Sequence, residues 1–184
     1  MAKMLNQTQR TQLLQIARRS IEAALAGTRL ALERSAIDET LLRPAGAFVT
    51  LNNREGDLRG CIGSIHPVAP LFEAVASNAI NAAFRDPRFP PVTRDEFAAL
   101  HIEISVMGPI EGVANTDEIV VGRDGLIISR GNAAGLLLPQ VATEYEWDLP
   151  TFLAQTCRKA GLPLNAWRHS GTIIQKFSAE VFGE

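Results

Sequence analysis

Leu58 to Ser64 reads LRGCIGS, a thiol set between two glycines and two positions after an arginine. In an extended strand, residues two apart share a face. Arg59 and Cys61 therefore project together, while Leu58, Gly60 and Ile62 turn the other way. A guanidinium beside a thiol favours the thiolate, the nucleophilic form. Gly60 and Gly63 allow close backbone approach, and the turn through Gly63 and Ser64 can aim amides at an anion. The same letters also fit a small buried cysteine whose glycines shape a tight bend. Spacing alone leaves both readings open.

Other residues are weighed against this stretch. Arg85, Asp86 and Arg88 crowd a proline-rich turn that can hold an anion or simply end a helix with local ion pairs. Glu144, Glu146 and Asp148 bracket Trp147 ahead of a helical segment, where Asp148 suits the helix dipole. Glu144 has no such local reason, and Glu103 sits mid-strand among apolar neighbours. Either carboxylate, if it shared a cleft with Cys61, would serve as a base or an orienting group. The second cysteine, Cys157, lies on an apolar helical stripe with Phe152, Leu153 and Ala160, a core position. His66, His101 and His169 have no metal-ligand spacing with one another or with the cysteines, so no metal and no cofactor is expected.

The elements that must position these residues follow from periodicity. Leu13, Leu14, Ala17, Ile21, Ala24 and Leu25 recur at helical spacing in an opening helix over Asn6 to Ala26, with Gly27 as its stop. Phe48 to Leu51 and Leu58 to Ile62 form a hairpin across a turn-like Asn52 to Asp57. Pro70 to Phe84 is a second helix, stopped by DPRFPPV. Thr93 and Glu96 make a capping box for a short helix over Asp95 to Leu100. His101 to Met107 alternates as a strand, and Glu118 to Val121, Leu126 to Ser129 and Gly135 to Leu138 are strand-prone. Asp148 caps a helix from Leu149 to Ala160, ended by Gly161, and Thr172 to Phe182 closes as a strand. Helices mixed with hairpins make the class α+β, a mixed or antiparallel sheet flanked by helices. Hairpin followed by helix occurs in both halves, which raises an internal duplication.

Composition narrows the functional classes. The 184 residues are 46% hydrophobic and 21% charged, the balance of a globular chain with one domain or two lobes sharing a core. Eighteen basic against twenty acidic residues argue against a nucleic-acid binder, which carries a basic excess. Two cysteines are too few for a disulfide framework. With no signal-like start and no apolar run near ~18 residues, a soluble cytoplasmic protein without membrane contact is expected.

LRGCIGS, AAFRDPRFPPV, IEISVM, GRDGLII, LLLPQVATEYEWD and the following KAGL together resemble the AMMECR domain family. The resemblance covers about residues 47–182. It implies a single α+β domain, here residues 1–184, with a larger and a smaller lobe. It also implies a place beside a Memo-like and a radical-SAM protein in the AmmeMemoRadiSam system, in the position of protein A. The family brings no established reaction, and its likeness puts the functional centre at LRGCIG. Two hypotheses stand. One is a cysteine-dependent enzyme or enzyme component, in which Cys61 acts with Arg59 and with Glu103 or Glu144. Gly60, Gly63, Ser64 and Arg88 would then bind a small anionic substrate. The other is a non-catalytic module whose LRGCIG surface recognises a partner. A homo-oligomer stays open.

Overall fold

The computed structural model describes residues 4–184. A capping box opens helix α1, Gln7–Leu25: the Asn6 side chain accepts the Gln9 N–H, and the Gln9 side chain accepts the Asn6 N–H, each at 2.9 Å. Leu13, Ala17 and Ile21 form its fully buried stripe. The charged segment beyond it holds two short 3-10 turns, Arg34–Ala36 and Glu39–Leu42.

Strands β1, Ala47–Asn52, and β2, Leu58–Ser64, form the expected hairpin. Pro70 caps helix α2, Leu71–Phe84, and the Thr93–Glu96 capping box opens a single turn, α3, Arg94–Phe97. Strand β3 runs from His101 to Gly112, longer than the alternating stretch alone indicates. Strands β4, Asp124–Arg130, and β5, Ala133–Leu137, make a second hairpin. Helices α4, Pro139–Glu144, and α5, Leu149–Lys159, follow, and strand β6, Ile173–Gly183, ends the chain.

Two local readings change. Glu118 to Val121 is not a strand: a 3-10 turn covers Thr116–Glu118. The Asp124 carboxylate accepts the Val120 N–H, while the Val120 carbonyl accepts the amides of Arg123 and Asp124. Those bonds close a turn where β-propensity alone suggested extension. Helix α4 is additional, started by Pro139 at its first position.

The strands hydrogen-bond in the order β2-β1-β3-β6-β4-β5, and the class is α+β. The chain divides into two compact units, the larger of residues 4–107 and 180–184, the smaller of residues 108–179. In the larger, α1 packs on α2, and α2 packs on β1 and β2. Val49, Leu51, Ile102 and Ile104 meet Leu13, Phe72, Val75 and Ala79 in its core. In the smaller, Leu126 and Ile128 of β4 pack with Phe152, Leu153 and Cys157 of α5.

Candidate functional site around Cys61

Register places Cys61. It stands opposite Thr50 of β1, and Thr50 stands opposite Glu103 of β3, so three strands set Cys61, Thr50 and Glu103 in one row. Directly opposed residues share a face, and this face is not the one the helices cover. On β1 the core takes Ala47, Val49 and Leu51, leaving Phe48, Thr50 and Asn52 to the other side. The Thr50 hydroxyl donates to Cys61 Sγ at 3.2 Å. Cys61 and Glu103 are both partly buried.

The backbone of Cys61 is held from outside the sheet. β2 is a terminal strand in the hydrogen-bonding order, so a row of its amides and carbonyls has no strand to meet. The DPRF loop fills that gap at one residue. Asp86 Oδ2 accepts the Cys61 N–H at 2.9 Å, and Arg88 Nη2 donates to the Cys61 carbonyl at 3.3 Å. Outward amide and carbonyl groups mark Cys61–Thr50 as a non-hydrogen-bonded pair, the type that brings side chains closest. Asp86 and Arg88 are themselves bidentate, through Nε–Oδ1 at 2.9 Å and Nη2–Oδ2 at 2.7 Å.

Asp86 is 4% exposed. Its carboxyl is held well below the usual carboxylate range, chiefly by the Arg88 hydrogen bonds and then by the Cys61 and Arg88 amides, against the opposing effect of burial. Arg88 is raised, first by its hydrogen bonds to Asp86 and in smaller part by attraction to Asp86 and Cys61. Arg88 touches Cys61 through the Cys61 backbone carbonyl. Its side chain is 54% exposed.

Arg59 occupies a different setting. Gly60 pairs with Leu51 and Leu58 with Asn52, so a register irregularity leaves Arg59 without an opposite residue. Its guanidinium is committed to the Glu96 carboxylate through Nε and through Nη2 at 3.1 Å, and to the Pro90 carbonyl at 2.9 Å. Phe89 lies within 5.7 Å of the Arg59 guanidinium carbon and 5.5 Å of that of Arg88, so one ring supports both.

The glycines have steric reasons. A Cβ at Gly60 would stand 2.2 Å from the Ala82 carbonyl oxygen, so only glycine lets β2 lie this close to α2. A Cβ at Gly63 would strike the Phe48 ring and the β1 backbone. Ser64 alternates to the face opposite Cys61. It borders a shallow cavity of about 250 Å³ with His66, Glu73, Ser77 and Asn78 over small alanines. Its hydroxyl is engaged with the His66 backbone. Glu144 belongs to the smaller unit, exposed at the end of α4.

The AMMECR1 family model matches residues 14–182. The chain belongs to the AMMECR1 family. A Thermococcus gammatolerans protein is 44% identical over 181 residues, covering 94% of this chain and 88% of that one. Protein MJ0810 of Methanocaldococcus jannaschii is 43% identical over 175 residues, covering 91% and 86%. The crystal structure of the uncharacterized protein PH0010 from Pyrococcus horikoshii has a TM-score of 0.89 and 42% identity, over 98% of this chain and 93% of that one.

Within this AMMECR1 chain, Cys61 and Glu103 share a face and Arg88 reaches the Cys61 backbone. Arg59 pairs with Glu96, Gly60 and Gly63 serve packing, and Ser64 faces away. Thr50, Asp86 and Glu96 are the neighbours that sequence reading did not attach to this site. The DPRF cluster signalled Asp86 and the capping box signalled Glu96, but nothing in the sequence singled out Thr50.

Proposed function

We propose that this AMMECR1 protein is a cysteine-dependent enzyme or enzyme component in which Cys61 is the nucleophile. The observation that carries the reading is the Thr50 hydroxyl donating to Sγ of the partly buried Cys61, on the sheet face that α1 and α2 do not cover. Arg59 spends Nε and Nη2 on Glu96 and Pro90, and the Ser64 hydroxyl is bonded to the His66 backbone, which leaves the sulfur as the motif's nucleophile. Glu103, next in the row, is the base or orienting carboxylate. Arg88 uses Nε and Nη2 on Asp86 and turns a half-exposed guanidinium to solvent, which suits an anionic group on the substrate. Two unpaired cysteines fit a reducing cytoplasm. The family likeness supports work alongside Memo-like and radical-SAM proteins.

A test is to expose the folded protein to acyl phosphates and thioesters and to follow intact mass. One adduct per chain, mapped to Cys61 and absent in Cys61→Ser, is expected. If Cys61 takes no electrophile until the chain unfolds, the nucleophile reading fails. A second reading has its own support: Arg59, Gly60, Gly63 and Asp86 all have architectural roles. A motif so absorbed also suits a rigid recognition strand, for which Cys61→Ser would leave partner binding unchanged.

A further inference from the structure

Three helices of the chain end in the same hydrogen-bonded cap, and one of them departs from the others. In α1 the amides of Gly27 and Thr28 bond back to the carbonyls of Ala24 and Ala23, and in α5 those of Gly161 and Leu162 bond back to Arg158 and Cys157. In α4 the amides of Glu146 and Trp147 bond back to Thr143 and Ala142 in the same pattern. This is the Schellman cap, whose first residue past the helix cap takes a left-handed backbone. That residue is Gly27 at φ +71° and Gly161 at φ +73°, but in α4 it is Glu146 at φ +52°. Glutamate is strained there where glycine is not, and this fold uses glycine at the two equivalent positions.

The side chain retained at that cost stands in a particular place. The reversal stacks Tyr145 on Trp147, with centroids 5.0 Å apart and planes 18° from parallel. Trp147 packs on the core of the smaller unit, so the stack has a fixed base. Tyr145 is 65% exposed. Glu144 and Glu146, on either side, are both exposed.

We propose that Tyr145, Trp147 and Glu146 form a docking surface for an arginine side chain of a partner protein. The stacked rings offer a flat π-surface of negative potential. Glu144 and Glu146, which flank Tyr145 in the chain and are exposed, supply charge and bidentate hydrogen-bond acceptors. A guanidinium is planar, weakly hydrated and suited to both, whereas an ammonium cannot stack or bond as a fork. The rigid base lowers the ordering cost of recognition. This surface is independent of Cys61.

The test uses the isotopically labelled full chain titrated with the peptide acetyl-Gly-Arg-Gly-Arg-Gly-amide at about 0.15 M salt, where long-range charge is screened. Shifts are expected at residues 144–148, including the Trp147 indole. Tyr145→Ala should weaken binding about threefold, and the citrulline version of the peptide should not bind. Glu146→Gly is the separating variant: its melting temperature should rise by a few degrees while peptide binding weakens. A lysine peptide that binds as well as the arginine one, shifts spread over distant carboxylates, or wild-type binding by Glu146→Gly would each overturn the proposal.

Discussion

Asp86→Asn isolates the group that holds the Cys61 backbone. The wild-type carboxylate accepts four hydrogen bonds: the Cys61 N–H, and the N–H, Nε and Nη2 of Arg88. An amide of the same shape keeps one acceptor oxygen and turns an NH2 toward donors. At least one buried donor loses its partner, at about 1–3 kcal/mol. Arg88 is more than half exposed, so its loss as an ion-pair partner is screened and adds at most about 1 kcal/mol. The expected destabilisation is about 1–4 kcal/mol, or a melting temperature about 2–16 °C lower in a chain of this size. The pH dependence gives a second handle. A carboxyl whose folded pKa is depressed contributes stability above its unfolded value, about 3.9, and loses it as pH falls toward the folded value. The gap between wild type and variant should therefore be full near pH 6 and narrow below about pH 4. Denaturant melts from about pH 6 to 3, with amide exchange at Cys61, measure both. A variant within 0.5 kcal/mol of wild type, estimated as about the limit for an uninvolved surface change, with unchanged Cys61 exchange, would refute the edge-clamp argument.

Iodoacetamide should label Cys61 in the folded protein and leave Cys157 unlabelled, as peptide mass will show, since Cys157 is fully buried and desolvation raises its thiol. Thr50→Val should slow Cys61 labelling about tenfold, the rate equivalent of one lost hydrogen bond to a charged group, and Thr50→Ser should restore it. Gly60→Ala should cost about 2–4 kcal/mol in a chemical melt because the Ala82 carbonyl blocks the new methyl. Gly56, with a positive φ but open space around it, should show only conformational strain when changed to Ala.

Elements were legible where a local rule decides them. The Thr93–Glu96 capping box and the Asp148 cap depend on residues three apart, and both form as read. Alternation identified the β1–β2 hairpin, although it could not say which residues stand opposite one another. Pairing brings Thr50 beside Cys61, and the irregularity at Leu51/Asn52 separates Arg59 from that row. Asp86 illustrates the same limit. As sequence it ends a helix, and its second function exists only because the following loop packs along the free side of β2. Glu118 to Val121 failed for the opposite reason, since a short-range bond to Asp124 outweighed a weak β preference.

The larger unit is completed by residues 180–184, which follow the smaller unit in sequence. Glu180 bonds to Arg10 and to the Leu5 amide, Glu184 pairs with Arg18, and the Glu184 amide bonds to the Ile102 carbonyl. During synthesis on the ribosome, domains ordinarily fold from the N-terminus onward. Here the nascent segment 4–107 emerges first, yet must wait for residues 180–184 to gain those partners. The segment 108–179 is continuous and holds its own core, so it can close earlier. Loss of residues 180–184 would thus damage residues 4–107 more than residues 108–179.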